Sequence, residues 1–296
     1  AHANRAIHEA DVIVGIGMRF DDRVTGRVSE FAPNAQIIHI DIDPAEIGKN
    51  VETAVPVVGD AREALLALLE EMEPQRHDAW LETIASWRKR SSGRSRGVPG
   101  ALAPQYVVER LHTLTEGKAI VTTDVGQHQM WTAQYYTCDI PNQWITSGGL
   151  GTMGYGVPSA LGVALGRPDA EVWAVVGDGG VQMTMFEFGT IVQEGAKVNI
   201  AIVNNGYLGM VRQWQELFHN RNYSETPISS PDYMLIAQAY GIPARRVTRR
   251  EEVDDAIRWA RSIDGPTLLE FKVNQEENVY PMIPSGGSIR EMIEEA

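Results

Sequence analysis

Two short apolar runs, Val172–Val176 and Val198–Val203, constrain this chain more than any other feature. Both are rich in β-branched residues and bounded by Gly or Asn, the pattern of strands buried on two faces of a parallel sheet. The intervening MTMFEFGTIVQEG has helical length and apolar spacing, so the three segments predict a βαβ unit. The first strand runs out into Gly177-Asp178-Gly179-Gly180 and the second into Asn204-Asn205. α/β proteins place ligands where strands end on one edge of a parallel sheet. Asp178 and Asn205 are therefore expected close in space, although 27 positions apart. A carboxylate and an amide oxygen are hard ligands that suit Mg²⁺ or Ca²⁺. Mg²⁺ usually takes one or two protein oxygens and fills its shell with water and phosphate oxygens. Gly177, Gly179 and Gly180 would let backbone N–H groups approach a phosphate beside a helix start. The stretch predicts a metal-bridged diphosphate. The alternative, an Asn-Gly hairpin turn, needs a following strand, whereas LGMVRQWQELF reads as a helix.

A chain of 296 residues has length for about two domains. Its formal charge of −13 argues against nucleic acid or an anionic membrane as the main partner. No run approaches the ~20 apolar residues of a membrane span. Cys138 is the single cysteine, which excludes an internal disulfide and fits a reducing cytoplasm. AHANRAIHEA reads as a helix leading straight into a strand with no initiating Met or signal peptide. The expectation is a start in mid-domain, that of a fragment or a cleaved chain.

Along the chain, strands are expected at 11–17, 36–42 and 55–58, then a helix at 61–72 with an apolar stripe of Leu65, Leu68, Leu69 and Met72. Three strand ends here carry glycine or acid: Gly15-Ile16-Gly17, Asp41-Ile42-Asp43 and Gly59-Asp60. They read equally as turns or as a nucleotide-binding edge. VGIGMRF is a weak dinucleotide fingerprint, because Phe20 stands where the third Gly belongs. A helix at 75–91 sets Trp80, Ile84 and Trp87 on one face for packing. RKRSSGRSRGVPGALAP, basic and rich in Gly, Ser and Pro, is the best linker. The division is then 1–90, linker 91–104 and 105–296. The second part continues with a helix at 105–115 and a strand at 119–123. Asp124 and Gly126 follow at a strand end, Gln127 and His128 start a helix, and a glycine cluster spans 148–156. Beyond the central unit come helices at 231–240 and 250–262, strands near 244–248 and 267–273, and a short helix in the tail. Alternating strands and helices define α/β architecture: two Rossmann-like, doubly wound domains with mainly parallel sheets.

GDG, 24 residues and then NN resembles the diphosphate-binding motif of thiamine diphosphate enzymes. RFDDRVTG at 19–26, VGQHQMW at 125–131 with SGGLGTMGYG at 147–156, and NNGYLGMVRQWQ at 204–215 together resemble acetohydroxyacid synthase, also called acetolactate synthase. The resemblance covers essentially the whole chain. It corresponds to part of that family's FAD-binding middle domain and all of its C-terminal diphosphate-binding domain. It implies decarboxylation of pyruvate on thiamine diphosphate, then ligation of the two-carbon unit to pyruvate or 2-oxobutyrate, in branched-chain amino acid synthesis.

The resemblance also implies roles. Asp178, Asn205 and the carbonyl of Tyr207 would ligate Mg²⁺. Gly126, Gln127 and His128 would contact the diphosphate. Met153 would hold the cofactor bent, and Gly151, Gly177, Gly179, Gly180, Tyr207, Gly209 and Met210 would complete its cradle. Met210 and Trp214, four apart on one helical face, would line the acceptor pocket. Arg23 would bind the acceptor carboxylate, with an ion pair to Asp21 or Asp22 as the competing reading. Gly17, Met18, Arg19, Asp21, Val24, Asp41, Ile42, Gly59, Asp60 and Ala61 fall where the family contacts FAD, a structural cofactor there. The expected partners are a second copy, as homodimer or homotetramer, and a small regulatory subunit. The family's essential glutamate belongs to an N-terminal domain of a partner subunit, so this chain alone is expected to hold the cofactor weakly and not turn over. The rivals are another thiamine diphosphate enzyme, such as pyruvate oxidase or glyoxylate carboligase, and a non-catalytic nucleotide-binding module.

Overall fold

The computed structural model describes residues 1–91 and 100–294. The chain forms two compact units, Ala1–Arg94 with Tyr280–Ala296, and Ser95–Val279.

In the first unit, α1 (His2–Glu9) leads into β1 (Val12–Ile16), and α2 (Asp22–Thr25) precedes β2 (Gln36–Asp41) and β3 (Val55–Val58). The three strands are parallel in the order β1-β2-β3. Helices α3 (Ala61–Glu71) and α4 (Asp78–Ser91) follow. Asp60 starts α3 by accepting from the Arg62 and Glu63 amides. The expected stripe on α3 is not buried: Leu65, Leu68, Leu69 and Met72 are all exposed. Trp80 and Trp87 meet edge to face on α4, 5.7 Å apart. The core is small and centres on Phe20, Phe31, Ile37 and Val51.

The tail from Tyr280 packs with this first unit, rather than with the C-terminal domain to which the 105–296 boundary assigned it. Arg27 N–H donates to Gly287 O (2.9 Å), Arg27 pairs with Glu291 and Arg5 with Glu294, while Met282 and Ile293 bond reciprocally within the tail. Its expected helix is a single 3-10 turn, Ile289–Glu291. Most of the expected linker, residues 92–99, lies outside the described residues.

The second unit contains α5 (Pro104–Leu114), β4 (Ile120–Thr123), α6 (Gln127–Tyr135), β5 (Trp144–Thr146), α7 (Gly156–Gly166), β6 (Val172–Gly177), α8 (Asp178–Thr184) and α9 (Glu187–Gln193). Then come β7 (Val198–Asn204), α10 (Gly209–Phe218), α11 (Tyr233–Tyr240), β8 (Ala244–Val247), α12 (Val253–Ser262) and β9 (Thr267–Lys272). The sheet is parallel in the order β5-β4-β6-β7-β9-β8. It is doubly wound, and its side chains show why. Trp173, Val175, Ala201 and Val203 pack on one face against residues of α5, α6 and α12. Val172, Ala174, Val176, Val198, Ile200 and Ile202 pack on the other against residues of α7, α8, α9 and α11. Alternation in β6 and β7 thus feeds two cores, and both strands are buried throughout. Two details differ from expectation. The helix after β6 starts at Asp178 and is broken around Met185–Phe186 into α8 and α9. The short edge strand β5 was not anticipated.

Candidate functional site

The chain steps from β4 out to β5, then returns past β4 to β6. That reversal opens a crevice at the carboxyl ends of β4 and β6, the ligand position of doubly wound sheets. Register pairs Thr123 with Val175 and Gly177 with Val203. Asp124, Gly177-Asp178 and Asn204-Asn205 therefore emerge on one edge.

Asp178 is buried, and its Oδ2 accepts from Gly206 N–H (3.0 Å) and Ser230 Oγ (3.1 Å). Its carbonyl accepts from the Tyr233 hydroxyl at 2.9 Å. Burial pushes the Asp178 carboxyl above the ordinary carboxylate range, against the pull of these hydrogen bonds. Asn205 is brought alongside as expected. Its amide nitrogen donates to Gln127 Oε1 (3.0 Å) and its oxygen accepts from Tyr207 N–H (3.1 Å). Tyr207 forms an antiparallel bridge with Pro227, closed by Leu208 N–H to Thr226 O (2.8 Å) and Ile228 N–H to Gly206 O (3.0 Å). In such a pair the central residue's own N–H and C=O face away from the bridge, toward the Asn205 side. Among the described residues no three His, Cys, Asp or Glu side chains gather as a metal cluster. One carboxylate with amide and carbonyl oxygens instead fits a hard cation that draws its other ligands from a phosphate and water.

Gln127 is buried and its side chain is spent on the protein. Besides holding Asn205 it donates to Gln213 Oε1 (2.9 Å) and Glu277 O (3.0 Å). It therefore orients a candidate metal ligand, and its side chain is not aimed at a diphosphate. A Cβ on Gly209 would overlap the Gln127 side chain and lie 2.7 Å from Asn205 Nδ2.

The glycines expected to make room for phosphate have protein neighbours. A Cβ on Gly177 would lie 2.8 Å from His128 Nδ1, and one on Gly180 would overlap the Asp124 carboxylate. One on Gly179 would press on Leu208 (3.2 Å), Ile228 (3.3 Å) and Met153 Cε (3.5 Å). Met153 and the start of α8 are thus together. Gly126 has φ +155 immediately before α6. Gly151 lies in the loop before α7, with φ +66. Asp124 and Ser230 were not among the expected site residues. The signal for Asp124 was its strand-end position four before His128.

Helix α10 inverts the usual pattern: its buried residues are Arg212 and Gln213. Arg212 donates to Glu216 (2.5 Å), Asn278 Oδ1 (2.5 Å) and Glu277 O (3.0 Å), while Gln213 bonds Val279 in both directions (2.9 Å each). Met210 and Trp214 are half-buried, Val211 and Phe218 are exposed, and Trp214 stacks on Phe218 at 5.1 Å. Met210 packs on the core beneath this helix.

In the first unit Gly17, Asp41 and Gly59-Asp60 lie at the ends of three adjacent parallel strands. Gly17 N–H donates to Ile40 O and Gly59 N–H to Asp41 O. Val24 and Ile42 are exposed. Met18 O lies 2.9 Å from His39 Nε2. Phe20, at φ +46, turns back under Gly15 and packs on Phe31 and His39, so this loop does not open a dinucleotide-binding helix. Arg19 pairs with Asp21 at 2.8 Å. Arg23 is exposed, and among the described residues its guanidinium has no ion pair, so the competing structural reading fails for it.

Residues 124–271 match the family described as thiamine pyrophosphate enzyme, C-terminal TPP binding domain, and residues 1–68 match its central domain. The chain belongs to the thiamine pyrophosphate enzyme family. It is 47% identical over 295 residues to the acetolactate synthase large subunit of Corynebacterium glutamicum, covering 96% of this chain and 47% of that one. The Haemophilus influenzae acetolactate synthase large subunit is 43% identical (98% and 52% covered), and the chloroplastic acetolactate synthase 1 of Nicotiana tabacum 42% (99% and 46%). The chain spans about half the length of the curated relatives it matches.

Proposed function

We propose that this chain is the cofactor-holding part of an acetolactate synthase, acting on pyruvate and on pyruvate or 2-oxobutyrate as acceptor. The observation that carries the reading is the meeting, at one edge of the sheet, of Asp178, Asn205 and Met153. Bound thiamine diphosphate supplies the reactive carbon and the electron sink for decarboxylation. The chain's own residues hold and orient. Asp178, Asn205 and the Tyr207 carbonyl take Mg²⁺ against the diphosphate, with Gly126 and His128 beside it. Met153 supports the cofactor rings. Met210 and Trp214 receive the side chain of the acceptor. The strand ends of the first unit suit FAD. The negative charge argues against nucleic acid as a partner. Among the described residues no helix is long and apolar enough to cross a membrane. The single cysteine suits a reducing cytoplasm as the place of work. A homodimer or homotetramer with a small regulatory subunit completes the proposal.

Calorimetric titration of thiamine diphosphate, with and without Mg²⁺, tests the cofactor assignment, and binding that ignores Mg²⁺ refutes it. Incubation with pyruvate, thiamine diphosphate, Mg²⁺ and FAD, alone and with the remaining half of a full-length relative, tests the reaction. Acetolactate is the expected product, and acetyl phosphate or a glyoxylate-derived product would assign the chain to a rival.

A further inference from the structure

We propose that Asp124 is a positioning residue of this site, one carboxylate that fixes both the His128 ring and the turn carrying Met153. The proposal rests on the thiamine diphosphate reading above. Asp124 is fully buried at the end of β4. Its Oδ1 meets His128 Nε2, and its Oδ2 accepts from Gly154 N–H at 2.9 Å. Gly154 is held from its other side as well: its carbonyl accepts from the Thr184 hydroxyl at 2.9 Å. With φ +84 and Met183 and Thr184 each 3.1 Å from where a Cβ would stand, this turn has one conformation to adopt. Met153, the preceding residue, is thereby directed onto Gly179 at the start of α8.

The arrangement needs two acceptors on one group. A carboxylate provides them; an amide provides one. An Asn at 124 either turns its NH₂ on the Gly154 N–H or donates to His128 Nε2, which then must give up its proton to Nδ1. The Nδ1 edge is the one that packs by Gly126 and Gly177, at the mouth of the diphosphate position. The carboxylate also occupies the volume a side chain at Gly180 would need. The absence of a side chain there makes room for Asp124.

The test has three readouts. The first is the ¹⁵N signature of His128 in the ligand-free chain, expected to be Nε2–H in the wild type and to move to Nδ1–H in Asp124→Asn. The second is Mg²⁺-dependent thiamine diphosphate affinity, expected to fall about tenfold in Asp124→Asn. The third is steric coupling. Gly180→Ala lowers the melting temperature in the wild-type background and leaves it unchanged beside Asp124→Ala, where the clash is gone. An unchanged His128 signature together with an unchanged Gly154 amide resonance, or Gly180→Ala damage equal in both backgrounds, overturns the anchoring. A moved signature with unchanged affinity overturns the role toward the cofactor. If the wild-type chain binds no thiamine diphosphate, the functional reading and the cofactor role fall together, and the spectrum and melts still decide whether Asp124 anchors His128.

Discussion

Asp178 carries a charge that its surroundings resist. Its folded-state carboxyl holds a proton more tightly than the unfolded chain's, because burial outweighs its hydrogen bonds. As pH rises from the ordinary 3.8 through the raised folded value, the unfolded state ionises first and stability falls. Melts in EDTA should show that decline, and Asp178→Asn should remove it. In Mg²⁺ with thiamine diphosphate the wild type should melt higher than Asp178→Asn, since only the wild type offers a carboxylate to the cation. Gly209→Ala should also abolish Mg²⁺-dependent binding, by displacing Gln127 and with it Asn205; calorimetry of that variant checks this. Asp178 and Asn205 were legible in the sequence because each sits at the end of an unmistakable strand. The uses of Gln127 and of Gly180 were not. Their partners, Asn205 and Asp124, are remote in sequence, and no spacing rule reports a contact made through the tertiary fold.

Among the elements, α10 shows what periodicity can and cannot tell. Its length and the shared face of Met210 and Trp214 were readable. Its burial of Arg212 was not, because that depends on Asn278, Glu216 and the Glu277 carbonyl arriving from elsewhere. Removing the cation leaves those acceptors buried, so Arg212→Ala should cost about 3–5 kcal/mol in denaturant unfolding. Helix α6 ends in a second buried polar group. The Tyr136 hydroxyl donates to Ala119 O at 2.9 Å, and burial pushes its pKa up to about 12. Its contribution is complete below the unfolded value near 10 and is lost as pH rises through 12. Tyr136→Phe should flatten that alkaline loss while lowering stability at neutral pH, measured by melts across pH. The strand β5 escaped detection because three residues carry no usable alternation.

At the scale of the whole molecule, the two units have unequal cores. The sheet of Ser95–Val279 is packed on both faces, whereas the first unit buries a handful of apolar side chains and leaves Val12, Val14 and Ile16 of β1 exposed. Unfolding should therefore have two phases, with amides of β1 to β3 exchanging before those of β6 and β7, as followed by calorimetry and hydrogen exchange. A single transition with uniform protection would contradict it. The α/β class and nearly every strand were legible from composition and flanking glycines. The assignment of the tail to the first unit was not, since it rests on the Arg27 N–H to Gly287 O bond and on the Arg5–Glu294 and Arg27–Glu291 pairs, whose partners are far apart in sequence.

The contact between Asp124 and the bare α-carbon of Gly180 imposes an order on sequence drift. A lineage that first enlarges Gly180 meets an occupied volume, while one that first shrinks Asp124 vacates it and can then let the other position vary. The same two changes thus form a path open in one direction and closed in the other.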